Sequence, residues 1–246
     1  MVMKRHLLTL LFACASFLSS YSETYVVAVG ISDYKSISDL TLPEQDAKAI
    51  AELYKTKTKN VMLITGRYAT KARILKALRD QFARAKRDDM IIFSFSGHGY
   101  QGGVCPYDMT MQQSSGITYR EIHAILKQSS AQRKIIFADA CFSGGLRGGN
   151  RQSTHAAIDK DANVMLFLSS RSGETSIESP FMANGVFTAS LLRGLRGGAD
   201  DNRDRMITAK ELFDFVHSGV VEKSKGKQHP VMWGQFDDHW VLMDWR

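Results

Sequence analysis

Short apolar runs alternate along this chain with longer segments of helical period. Tyr25 to Ile31 is β-rich and predicts a first strand. After a polar, irregular stretch from Ser32 to Leu42, Pro43 opens a helix with Glu44 and Asp46 in its first turn. Ala47, Ile50, Ala51 and Tyr54 give that helix one apolar face. Val61 to Ile64 predicts a second strand, closed by Gly66, and Thr70 caps a helix with Ile74, Leu75, Leu78 and Phe82 inward. Met90 to Gly99 reads as the third strand, its apolar run fit for burial on both faces before it ends in a histidine between two glycines. Gly102 to Gly116 reads as a loop, Thr118 to Gln128 as a helix, and Arg133 to Ala140 as a fourth strand. Val164 to Leu168 is a fifth strand, Gly185 to Leu195 and Thr208 to Val221 are helices, and Trp240 to Met243 reads as a last edge strand. This order predicts an α/β fold with a mostly parallel central sheet and helices on both faces. A single domain over residues 23–246 is the simplest organisation, without internal repeats.

The first 22 residues stand apart from that pattern. Lys4, Arg5 and His6 precede an apolar run from Leu7 to Leu18, and Ser20 and Ser22 are small. This is the layout of a secretory leader cleaved before Glu23, which predicts an exported protein, periplasmic or secreted. The run is shorter than the roughly 20 residues that span a bilayer, so no stable membrane span is expected. Lipid anchoring through Cys14 is the lesser alternative. Leader removal lowers the net charge from +7 to +5. The remaining basic residues form no aromatic-interleaved stripe, so nucleic acid is not an expected partner. Only Cys105 and Cys141 remain after residue 22, too few for a disulfide-built fold.

Two predicted strand ends carry reactive side chains. The third strand runs out into Ser96-Gly97-His98-Gly99, and the fourth into Asp139-Ala140-Cys141-Phe142-Ser143-Gly144. Parallel strands end at one edge, and neighbours lie about 4.8 Å apart, so imidazole and thiol can converge there. A thiolate is the nucleophile of cysteine chemistry, and an imidazole can take its proton or protonate the leaving group. The amides of Gly99 and Cys141 are candidate donors to an oxyanion. Two blander alternatives stand beside this one: Cys141 as a small buried hydrophobe, or Cys141 bridged to Cys105.

These two motifs, in this order and 43 residues apart from His98 to Cys141, resemble the caspase/metacaspase superfamily of cysteine peptidases. Ser169-Ser170-Arg171-Ser172-Gly173-Glu174 and Gly185-Val186-Phe187-Thr188 also look like its bacterial members. The resemblance implies a caspase-like three-layer sandwich and a His98–Cys141 dyad. Asp139 stands where caspases proper carry glutamine, which is the metacaspase pattern and implies cutting after Arg or Lys rather than Asp. By the same likeness Asp46, Ser96 and Asp139 would line the specificity pocket, although Pro43 and Glu44 depart from the usual surroundings. Protein or peptide substrates with Arg or Lys before the cut bond, and a monomeric enzyme, are what this implies. The loop from Leu146 to Asp161 matches a region cleaved during maturation, with Arg147, Arg151 and Lys160 as candidate self-cleavage points. The acid pair that binds calcium in many metacaspases is missing after Gly116, so no cofactor and no calcium requirement is expected. Asp200 to Glu211 has calcium-loop spacing, but Arg205 replaces the turn glycine, which favours an acidic loop and helix cap. A caspase-like binding or scaffold protein without turnover is the alternative to an enzyme.

Overall fold

A six-stranded sheet divides the computed structural model into two apolar layers. The model describes residues 22–100, 102–110, 115–140, 163–170 and 184–246. The sheet order is β10 (Val231–Trp233), β8 (Val164–Leu168), β7 (Arg133–Asp139), β3 (Met90–Ser96), β1 (Thr24–Gly30) and β2 (Val61–Thr65). Its parallel strands are β1, β2, β3, β7 and β8. Strand β10 adds antiparallel to β8 at one edge.

Successive residues of each central strand face opposite layers, which is why their sequences are continuously apolar. Val27, Phe93, Ile136 and Leu166 pack with α2 (Lys71–Phe82) and α3 (Tyr119–Gln128) on one side. Val26, Ile92, Phe137 and Phe167 pack with α1 (Pro43–Lys55), α4 (Val186–Arg193) and α5 (Ala209–Lys223) on the other. The result is a three-layer α/β sandwich, as expected. Phe167 at the centre meets Phe187 edge-on at 5.1 Å between ring centroids.

The helix starts follow their sequence signals. Thr70 caps α2 through the amide of Arg73, and Thr118 and Thr208 form capping boxes with Glu121 and Glu211. Gly30 lets α1 close onto the end of β1, since a Cβ there would lie 2.2 Å from the Pro43 carbonyl oxygen. That approach carries Asp46 to the sheet edge where the parallel strands end.

Several short elements differ from expectation. The stretch read as a loop holds β4 (Gly99–Tyr100), β5 (Gly103–Val104) and β6 (Ile117–Thr118), a small antiparallel sheet of its own. Two-residue strands carry no readable period, so only their pairing reveals them. The last apolar piece, β11 (Val241–Asp244), does not edge the main sheet. It pairs with β9 (Met206–Thr208) beside α5, where Trp245 Nε1 donates to the Leu195 carbonyl at 2.8 Å. Helix α4 ends at Arg193 and continues as a wider turn over Gly194–Gly198. Among the described residues, no helix is long and apolar enough to cross a membrane.

Candidate active site

Strands β3 and β7 are neighbours, and their register places Ser96 directly opposite Asp139. Alternation along both strands turns these two side chains toward the α1 and α4 layer, together with Ile92 and Phe137. The chains leave the sheet side by side, with the Gly97 amide donating to the Asp139 carbonyl at 3.1 Å.

His98 follows, half-buried, and is held from two sides. Its backbone amide donates to the Tyr34 hydroxyl at 2.7 Å, and the two rings lie 5.0 Å apart. Its Nε2 lies 2.9 Å from the Ser38 carbonyl oxygen. A carbonyl only accepts, so this bond places the hydrogen on Nε2 and leaves the lone pair of a neutral ring on Nδ1. The loop presenting Ser38 looked irregular in sequence but is tied down internally. Asp39 accepts from the Tyr34 amide at 2.8 Å, and the Leu40 amide donates to the Ser32 carbonyl at 2.8 Å. Burial raises the Tyr34 hydroxyl well above its ordinary value, so it stays protonated.

Gly99 pairs with Val104 across the β4–β5 hairpin. The preceding rung is closed by the Cys105 amide donating to the His98 carbonyl at 2.9 Å. By the alternation of an antiparallel ladder, the Gly99–Val104 pair is then non-hydrogen-bonded, which frees the Gly99 amide for another acceptor. Cys105 is a buried thiol without a disulfide among the described residues, and burial pushes its pKa up to about 12. Cys141, Arg147, Arg151 and Lys160 lie outside the described residues.

The predicted pocket residues come together. Asp46, only 3% exposed, accepts from Ser96 Oγ at 2.9 Å through Oδ2. Its Oδ1 accepts from Asn184 Nδ2 at 2.9 Å and the Gly185 amide at 3.1 Å. Its partners are therefore on other elements, and its role exceeds that of a helix-terminal acid. Asp139 Oδ2 accepts from Thr188 Oγ1 at 2.8 Å and the Thr188 amide at 3.3 Å. A Cβ on Gly185 would lie 2.9 Å from Asp139 Oδ2 and 3.4 Å from Asp46 Oδ2, so this glycine sits against both carboxylates. Burial first, and the charge of Asp139 second, push the Asp46 carboxyl up to about 7 against the pull of its three donors. A buried carboxylate beside a half-buried one is an arrangement that favours a bound cation.

The sequence of residues 23–238 matches the family model of the caspase domain, a peptidase family. The chain belongs to the caspase-domain family. Its members are of the cysteine peptidase type, with the mixed α/β sandwich described above. The crystal structure of protein GSU0716 from Geobacter sulfurreducens superposes with a TM-score of 0.67 at 18% identity, covering 90% of this chain and 98% of that one. Caspase-1 from Spodoptera frugiperda superposes with a TM-score of 0.63 at 15% identity, covering 91% and 90%. At these identities the likeness is one of fold. A search of curated proteins gave no match.

Within this caspase-domain chain the sequence pattern did not reveal Ser38, Tyr34, Asn184 or the part played by Thr188. Ser38 acts through its backbone, which leaves no residue signature. Thr188 lies in a stretch whose family likeness was visible, without its partner. In the Asp200 to Glu211 segment, Asp200, Asn202 and Asp204 accept from the segment's own amides, and Glu211 closes the α5 capping box. Among the described residues no cluster of three or more His, Cys, Asp or Glu side chains is placed to hold a metal ion.

Proposed function

We propose that this chain is an exported cysteine endopeptidase that cuts after arginine or lysine. The observation that carries the specificity is the convergence of Asp46 and Asp139 on Gly185, beside the strand end that bears His98. In this reading the Cys141 thiol gives its proton to His98 Nδ1, and the thiolate attacks the substrate carbonyl carbon. The amides of Gly99 and Cys141 receive the oxyanion. Collapse breaks the C–N bond, the imidazolium protonates the departing amine, and a thioester remains. Water, deprotonated by the same imidazole, then releases the acid and restores the thiol. The Ser38 carbonyl supports both halves, because it orients the ring and steadies the imidazolium that forms in each. The Arg or Lys side chain of the substrate enters between Asp46 and Asp139, with Ser96 lining the wall. No metal takes part in any step of this scheme. The enzyme acts as a monomer, with its leader removed before Glu23, and processes itself at Arg147, Arg151 or Lys160.

The test is hydrolysis of matched fluorogenic peptides ending in Arg, Lys or Asp, with calcium or chelator, by wild type and Cys141→Ala. Cleavage after Arg or Lys by wild type alone is expected, indifferent to chelator. Cleavage only after Asp would overturn the pocket assignment, and no cleavage after any would favour a caspase-like binding protein. In the same preparations, fragments present in wild type and absent from Cys141→Ala would establish self-processing.

A further inference from the structure

Strand β3, whose far end leads into His98, begins beside Glu23, the first residue that leader removal would leave. Glu23 is held there from three directions. Its carbonyl accepts from the Met90 amide at 2.9 Å, and its Oε2 accepts from Asn60 Nδ2 at 3.1 Å. Its backbone amide donates to Asp89 Oδ1 at 2.8 Å. Asp89 is 4% exposed, and its Oδ2 accepts from the Lys86 amide at 2.7 Å. A buried carboxylate is thus bonded to two main-chain donors. One of them belongs to the residue that cleavage would turn into an amino terminus.

We propose that cutting the Ser22–Glu23 bond completes the fold: the freed α-amino group of Glu23 forms an ion pair with buried Asp89, so the processed chain is more stable than its precursor. This goes beyond the peptidase reading and rests on the leader cleavage stated with it. A leader peptidase adds one water across the bond. Ser22 departs as a carboxylate, and the proton it sheds is taken up by the new amine, which is an ammonium at neutral pH. The other bonds of Glu23 keep its nitrogen in place, so a neutral donor becomes a charged one toward the same oxygen. Charge-assisted bonds are roughly twice as strong as neutral ones. Asp89 is already withdrawn from water in the precursor, so its desolvation is no new cost, and exposed Glu23 leaves water on the outer side of the ammonium. The neighbouring charges do not take over this role. Arg133 on β7 feels the charges of Asp88 and Asp89, but its guanidinium bonds the Asp88 and Val241 carbonyls and the Ser22 hydroxyl. Lys86 meets Asp89 through its main chain, and the Glu23 carboxylate turns to Asn60, which itself accepts from Arg84. An ammonium beside a carboxylate keeps its proton above its ordinary range of roughly 7.7–8.0. The gain is therefore complete below that range and is lost as pH rises past it.

The experiment begins by sequencing the amino terminus of the exported product of the full chain. Thermal melts then compare chains that start at Glu23 with chains that start at Ser22, each with Asp89 or with Asp89→Asn, all carrying Cys141→Ala. In the Ser22 chain the nitrogen facing Asp89 is still a neutral amide. At pH 6 the Glu23 chain should melt about 2–4 °C above the Ser22 chain. That difference should disappear above about pH 10, where the ammonium has lost its proton. Asp89→Asn should abolish it at every pH. The pH series compares two chains that both keep Asp89, so it decides the matter even if Asp89→Asn folds poorly. An amino terminus other than Glu23 would overturn the leader cleavage and this proposal with it, and would leave the peptidase reading standing. With Glu23 found, equal melting at pH 6, a difference that persists above about pH 10, or one that survives in Asp89→Asn would overturn this proposal alone.

Discussion

Asp46→Asn should make the protein more stable at pH 8 while disabling it. In the folded protein Asp46 keeps its proton up to about pH 7, whereas the unfolded chain releases it near 3.8. The stability contributed by the protonated form is complete below pH 3.8 and is lost as pH rises to about 7. A carboxyl raised that far forfeits about 4 kcal/mol at the ceiling once it is ionised. Small movements of the paired acids and water entry reduce that, so a gain of about 2 kcal/mol is expected for the variant at pH 8. Asparagine fits the site: its Oδ1 still accepts from Asn184 and Gly185, and its Nδ2 can donate to Ser96 Oγ after the hydroxyl turns. The comparison is made by thermal melts in a Cys141→Ala background, where self-cleavage cannot interfere. For a domain of this size 2 kcal/mol is roughly 4–8 °C. The difference should be largest at pH 8 and shrink toward pH 4. With Cys141 present, kcat/KM for arginine peptides should fall about a hundredfold, on the order of 3 kcal/mol for loss of a desolvated charge partner. A wild-type protein as stable as the variant at pH 8, or more so, would refute the view that Asp46 is a buried charge repelled by Asp139.

Two further outcomes follow from the His98 side of the site. Tyr34→Phe removes the acceptor of the His98 amide, and should cost about 1–3 kcal/mol in stability and lower kcat about tenfold, with KM held. Urea unfolding and peptide kinetics measure both; an unchanged kcat would show that His98 is placed by Ser38 alone. Cys105→Ala should preserve kcat/KM and cost about 1 kcal/mol, because that thiol is buried and its raised pKa keeps it unreactive. Loss of peptide cleavage in this variant would make Cys105 part of the chemistry.

Legibility differed from element to element. The central strands were readable because burial on both faces writes an unbroken apolar run, as in Met90–Ser96 and Val164–Leu168. Helix starts were readable because Thr70, Thr118 and Thr208 bond amides within three residues of themselves. The β4-β5-β6 sheet and the β9–β11 pair were not, since strands of two to four residues have no period and depend on partners far along the chain. For the candidate site, His98 and the acids stood out as chemical types at strand or helix ends. Their mutual arrangement did not, because no local rule states which strand ends meet.

Local chemistry along the chain determined the class of fold, the strand ends where reactive groups would gather, and the likeness to a peptidase family. Tertiary structure alone decided that β3 lies beside β7, with Ser96 opposite Asp139. It also decided that the Ser38 carbonyl, 60 residues before His98, selects the tautomer of that ring. It brought Asp46 from α1 and Asn184 from 138 residues away into one hydrogen bond. The reason is the range of the forces involved. Periodicity and capping act within a turn or two of the chain, whereas desolvation and charge repulsion depend on which distant groups the packed layers press together.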